Sequence, residues 1–257
     1  MRVCVCATPE QATARVVARI ARTVRENPRA VLGLATGGTM EPVYRGLIEA
    51  HRAGLGFAGV TSFNLDEYVG LDPAHPQSYH SYMRRHFFDH VDIPADRRFL
   101  PCGDCDPAEA AAIFEARLEQ HGPVDLQLLG LGHNGHIGFN EPGSSLGSLT
   151  REKTLTRRTR DANARFFRPG EVPPQSAITM GIATIMRARS IVLLALGAAK
   201  AEAVAEVVEG PVTAFCPGSA LQYHRDVSVI LDEGAAKDLR LVEHYREAEL
   251  LMSRRAS

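Results

Sequence analysis

No run of apolar residues in this chain approaches the roughly 20 that a membrane-spanning helix requires. The apolar part of the amino terminus, Met1 to Ala7, is too short for a secretory signal, so the expected location is the cytoplasm. An excess of one charge is also missing. The formal net charge is −1, and arginines are interspersed with acidic residues, which argues against a nucleic-acid footprint or a membrane-surface patch. Lysine is scarce. Only Lys153, Lys200 and Lys237 appear among the 29 basic residues. Arginine could serve at a plain surface position, so each lysine asks for a reason. Cysteine is sparse and odd in number. Cys4, Cys6, Cys102, Cys105 and Cys216, without a secretion signal, predict reduced thiols. Cys102-Gly103-Asp104-Cys105 lacks the second close pair of a structural zinc site and reads as a turn with two incidental thiols.

What the chain has is alternation. Apolar runs at 2–7, 30–34, 60–65, 125–130, 191–196 and 227–231 read as strands. Helical spacing marks 9–25, 41–51, 78–90, 107–121, 198–208 and a carboxyl-terminal helix from about 235. The pattern predicts one α/β domain over 1–257, a Rossmann-like, open, mostly parallel sheet with helices on both faces. The stretch from Lys153 to about 178 is arginine-rich and poor in apolar periodicity, and is expected to be a mobile lid.

Four places carry candidate chemistry. Leu131 to Pro142 follows a buried strand and crowds His133, Asn134, His136, Asn140 and Glu141 into one loop. Ligands in open α/β sheets bind beyond the carboxyl ends of strands. His133 and His136, at i and i+3, would need further ligands to hold a metal. An acid/base histidine beside Glu141 is the favoured reading, and no metal is expected. Thr36-Gly37-Gly38-Thr39, between a strand and a helix, offers backbone N–H groups and hydroxyls to a phosphate or carboxylate. It reads equally as a tight turn with a threonine cap. Asp66-Glu67 follows the third strand, and one carboxylate in an apolar cleft could shuttle a proton. A solvated or helix-capping pair is the alternative. Lys200 opens a helix after Gly197, against the helix dipole, which suits a nearby anion. Arg165, in the lid segment, is a second candidate anion clamp.

With these motifs assembled, the chain resembles the glucosamine-6-phosphate deaminase family. The resemblance rests on Thr36-Gly37-Gly38-Thr39, Phe63 through Leu71, His75-Pro76 through Ser78-Tyr79, Phe87 through Pro94, Gly135 through Pro142, Ser144-Ser145, Lys153 through Thr156, Ala162 through Phe167, and Leu196-Gly197 with Lys200. It implies conversion of glucosamine 6-phosphate and water to fructose 6-phosphate and ammonia, with no cofactor. Asp66 would move a proton between C2 and C1. His136 would open the sugar ring, supported by Glu141 and Asn134. Thr36, Gly37, Gly38, Thr39, Arg165 and Lys200 would hold the phosphate. Many members carry aspartate where this chain has Asn134, so that position is expected to orient neighbours by hydrogen bonding and leave Glu141 as the charged partner. The resemblance also implies assembly into a homo-oligomer and an activator, N-acetylglucosamine 6-phosphate, bound between subunits at Ser144, Ser145, Arg151, Lys153 and Tyr245. Two other readings compete. A 6-phosphogluconolactonase would share the fold but need no C2 proton shuttle. A sugar-phosphate-sensing regulator would need a DNA-binding module, which a first strand opening near residue 2 leaves no room for.

Overall fold

The computed structural model describes residues 1–164, 167–168 and 170–256. Chain order runs β1 (Arg2–Cys6), α1 (Pro9–Glu26), β2 (Val31–Leu34), α2 (Glu41–Arg52), β3 (Thr61–Asn64), β4 (Asp66–Tyr68), α3 (Tyr79–His86), β5 (Arg98–Phe99), α4 (Pro107–His121) and β6 (Leu126–Gly130). It continues with β7 (Arg151–Thr154), α5 (Arg157–Ala164), β8 (Ser176–Thr179), α6 (Ile182–Met186), β9 (Ser190–Ala195), α7 (Ala201–Val208), β10 (Val227–Asp232), α8 (Glu233–Ala236) and α9 (Val242–Ala256).

Seven strands form a parallel sheet in the order β1-β10-β9-β6-β2-β3-β5. β9 is buried along its whole length, as a central strand covered on both faces must be. From β2 the chain winds outward through β3 to β5, then returns to place β6 against the other side of β2 and continues outward to β9. The loops after β2 and β6 therefore leave neighbouring strands in opposite directions, and a crevice opens between them.

A second, three-stranded antiparallel sheet, β4-β8-β7, is not anticipated by the apolar pattern. β4 begins two residues after β3 ends, and its Asp66 pairs with Thr179 of β8. Much of the expected lid belongs to defined elements: the end of β7, α5 and the start of β8. The helix expected over 78–90 ends at His86, followed by a 3-10 turn at Phe88–His90, because Phe87 leaves helical geometry at φ −147°. The carboxyl-terminal helix from 235 is two pieces, α8 and α9. Among the described residues no helix is long and apolar enough to cross a membrane.

One cysteine expectation is corrected. Cys102 and Cys105 are joined in a disulfide, their Cα atoms 5.5 Å apart. The turn ahead of α4 brings the two Cβ atoms within bridging range, which sequence spacing alone does not reveal. Cys4, Cys6 and Cys216 are buried free thiols.

Candidate active site

A cavity of about 290 Å³ lies at the carboxyl ends of the parallel strands. Its walls include Thr36, Gly37, Gly38 and Thr39 after β2, Asp66 at the start of β4, and His133, Asn134 and His136 after β6. Lys200, in the turn before α7, and Arg158, Thr159 and Asn163 of α5 complete it.

The turn after β2 is held from behind. The hydroxyl of Tyr82 donates to the Gly37 carbonyl at 2.9 Å, and the hydroxyl of Tyr44 donates to that of Ala35. Gly37 has φ +111°, a conformation that L side chains rarely adopt. A Cβ at Gly37 or Gly38 would meet nothing within 4 Å, so the bare backbone faces open space where an anion can approach.

The two carboxylates of β4 part company because strand residues alternate between faces. Glu67 turns away from the cavity and is 1% exposed. It accepts from the backbone N–H groups of Tyr68, Tyr79 and His80 at 2.8–3.0 Å and lies 2.8 Å from His80 Nδ1. It caps the start of α3. Asp66 turns into the cavity, 6% exposed. Burial, and secondarily the charge of Glu67, push its pKa up to about 8.

The loop after β6 is folded around glycines. Gly132 N–H donates to the His136 carbonyl at 2.9 Å, and Gly135 N–H to the Gly132 carbonyl at 3.1 Å. The His136 ring lies flat against Gly132: a Cβ there would be 2.3–2.4 Å from three ring atoms. Gly132→Ala must push the ring aside. A displacement of about 1 Å at a reacting group costs on the order of 10²-fold in rate, so kcat is expected to fall by about that factor. A Gly132→Ala enzyme with near-parental kcat would show that the ring's seat is unimportant.

Glu141, 1% exposed, sits behind His136. Its Oε2 accepts from Asn134 Nδ2 at 2.8 Å, and its Oε1 accepts from the hydroxyls of Thr159 and, at 3.3 Å, Thr156. His136 Nδ1 stands 3.5 Å from Oε2, an ion-pair contact too long for a strong hydrogen bond. Burial alone would raise the Glu141 pKa. His136, Thr159 and Asn134 outweigh burial and hold it at about 2. His133 points elsewhere, its Nδ1 3.1 Å from the Ala199 carbonyl. Among the described residues neither histidine belongs to a cluster able to hold a metal.

Lys200 is pushed down to about 8 by burial and then by the charge of Arg158. Two cations thus stand close together at the cavity, an arrangement that an anion relieves. Arg158 lines the cavity, and nothing in the sequence singles it out from its arginine neighbours. Arg165 lies outside the described residues. The positions expected to bind an activator lie off the cavity. Ser144 is buried beside Glu141 and Ser145 is exposed. Arg151 and Lys153 are on β7, and Arg151 donates to Asn140 Oδ1 at 2.8 Å. Tyr245, on α9, lines a different cleft with Arg2, Arg225 and Glu249, beside edge strand β1.

An open parallel sheet with a bare glycine turn, a buried carboxylate and a histidine–glutamate pair around one cavity at its switch point defines an α/β protein of the kind that binds small ligands beyond its strand ends. Residues 7–230 match the model of the glucosamine-6-phosphate isomerase/6-phosphogluconolactonase family, and the chain belongs to that family. Its relatives include the glucosamine-6-phosphate deaminase of Cellvibrio japonicus, 54% identical over 230 residues covering 89% of this chain and 88% of the relative. That of Hahella chejuensis is 49% identical over 247 residues, 96% of this chain and 95% of the relative. Among solved structures, a monomeric glucosamine-6-phosphate deaminase superposes with a TM-score of 0.90 at 46% identity, covering 93% of this chain and all of that one. The 6-phosphogluconolactonase of Trypanosoma brucei, at 23% identity and TM-score 0.74, covers 93% of this chain and 98% of its own, and shares the fold.

Proposed function

We propose that the chain is a glucosamine-6-phosphate deaminase that converts glucosamine 6-phosphate and water to fructose 6-phosphate and ammonia. The observation that carries this reading is the placement of Asp66 on the same cavity wall system as Thr36–Thr39, Lys200 and His136. The phosphate docks on the glycine turn and Lys200. His136, oriented by Glu141, moves the proton that opens the ring. The carboxylate of Asp66 takes the proton from C2 as O1 takes up a proton, giving an enolamine, and then returns the proton at C1 as the nitrogen gives up one of its own, which leaves a C1 hydroxyl and a C2 imine. Water adds at C2 and ammonia leaves. Holding the distant phosphate supplies binding energy that fixes C2 against Asp66. The test is ammonium release from glucosamine 6-phosphate by the purified protein, run beside hydrolysis of 6-phosphogluconolactone. Lactone hydrolysis without ammonium would replace this reading with the other activity of the family.

Arg158 joins the phosphate site. Because it faces solvent as well as the cavity, Arg158→Ala should raise KM by about 10-fold, roughly 1.4 kcal/mol of binding, with kcat little changed. An unchanged KM removes it from the site. An activator, N-acetylglucosamine 6-phosphate, bound between subunits at Ser144, Ser145, Arg151, Lys153 and Tyr245, and assembly of copies into an oligomer, extend the same reading. Hyperbolic kinetics unaffected by that compound would remove the first, and a monomer mass in solution the second.

A further inference from the structure

The disulfide loop has no part in the cavity, yet it touches the strand that carries Asp66. Gly103, at its centre, is buried, and its carbonyl accepts from Gly70 N–H at 2.7 Å. A Cβ on Gly103 would lie 2.3 Å from the Tyr68 carbonyl oxygen and 3.0 Å from Glu67 Cγ. The loop backbone is therefore pressed against β4 from the side opposite the cavity. Cys102 is half-buried and packs with Val69 on the cluster of Ala110, Ala111 and Ile178, which joins α4 to β8. Cys105 is exposed and open to a reagent in solvent.

We infer that Cys102–Cys105 is a reversible thiol–disulfide exchange site whose closed form seats β4 and thereby positions Asp66. The coupling to turnover rests on the deaminase reading; the exchange chemistry does not. A dithiol reductant opens the bridge. Its thiolate attacks one sulfur, the other leaves as a thiolate and takes up a proton, and the reductant's second thiol closes on the mixed disulfide. The protein gains two S–H bonds, and the reductant becomes a cyclic disulfide. A small-molecule disulfide runs the steps in reverse.

Opening matters because the bridge fixes the spacing of Cys102 and Cys105 and so restricts the Gly103 backbone that abuts Tyr68 and Glu67. Glu67 in turn holds the N–H groups of Tyr79 and His80. Displacement of β4 would reach Asp66 directly. The phosphate-holding groups after β2 and before α7 lie on other elements. The expected signature is a fall in kcat with little change in KM. A shift of a few tenths of an ångström at Asp66 corresponds to about a 10-fold loss, less than the 10²-fold of a full ångström.

The test equilibrates the full chain, with a chelator to exclude metals, in reduced or oxidised dithiothreitol. Iodoacetamide labelling read by mass reports the pair, and ammonium release reports kcat and KM. Cys102→Ser/Cys105→Ser, an open form that cannot close, retains Cys4, Cys6 and Cys216 as internal controls. The inference expects labelling of both residues after reduction, a kcat about 10-fold lower, and an acid limb of the pH profile displaced from its oxidised position. The double variant should match the reduced form and ignore the redox state. If it does not fold, the two forms of the parent carry the comparison. A pair that is never labelled, a labelled pair with unchanged kcat, or a double variant still sensitive to dithiothreitol would each overturn it. Exchange without ammonium release in either state would instead remove the deaminase reading and the coupling with it, and leave the exchange site standing.

Discussion

Asp66→Asn should release ammonium from glucosamine 6-phosphate about 10³-fold more slowly than the parent, within the 10²–10⁴-fold range of a lost acid/base group. The substitution preserves shape, so KM should move little. Asparagine cannot accept the C2 proton, and the 6% exposure of the site leaves little room for water to do so. The pH profile sharpens the expectation. Asp66 has its pKa raised to about 8 and must be ionised to act as a base, so kcat/KM falls as pH drops through about 8. Lys200 has its pKa lowered to about 8 and must be charged to hold phosphate, so kcat/KM also falls as pH rises through about 8. The free enzyme should therefore show a narrow bell centred near pH 8. Bound phosphate favours the ammonium form of Lys200, so the alkaline limb should vanish from kcat while the acid limb persists. The substrate's own phosphate titrates near pH 6 and adds a lower limb that is easily told apart. An Asp66→Asn enzyme retaining a tenth of the parental rate would end the assignment.

The parts of this site differ in how far the sequence alone specifies them, and the difference is physical. The central strands announce themselves because β6 and β9 are covered on both faces and must be apolar nearly throughout. The loop after β6 is legible because histidines, amides and a carboxylate rarely crowd a mere connection. β4, β7 and β8 are short, and two of them are highly polar: β4 reads Asp-Glu-Tyr and β7 Arg-Glu-Lys-Thr. Their identity as strands comes from pairing with one another, a tertiary fact. That pairing also decides which member of Asp66-Glu67 faces the cavity. Spacing leaves the two carboxylates equivalent. Arg158 sits among Arg157 and Arg160, and only the phase of α5 singles it out. The bridge between Cys102 and Cys105 depends on a turn whose geometry no spacing rule supplies. Resemblance groups Tyr245 with Ser144 and Arg151 at a site between subunits; within one chain it lines a cleft of its own, where α9 packs beside β1.

Glu141→Gln should lower kcat by about 10²-fold, the low end of what a perturbed acid/base group costs, while leaving KM nearly unchanged. The reason lies in what surrounds the carboxylate. Oε1 receives two threonine hydroxyls, which can rotate to accept as readily as to donate. Oε2 receives the Asn134 amide at 2.8 Å and faces His136 Nδ1 at 3.5 Å. A glutamine can satisfy the threonine side with its NH₂ and keep its oxygen toward Asn134, so the network survives and the fold should too. What it cannot keep is the negative charge beside the imidazole. On the proposed role of His136, the imidazole takes a proton during ring opening, and the charge of the buried Glu141 offsets the new positive one. Because Glu141 is held at about 2, it stays ionised across the working range and should add no limb of its own to the pH profile. Asn134→Asp is the matched control. It would oppose a second carboxylate to Glu141 at hydrogen-bond distance, where the pair can share one proton and retain a net negative charge near His136. Its kcat should change by less than about 10-fold. Equal losses in the two variants would mean that orientation through the Asn134 amide, rather than the charge of Glu141, is what the histidine needs.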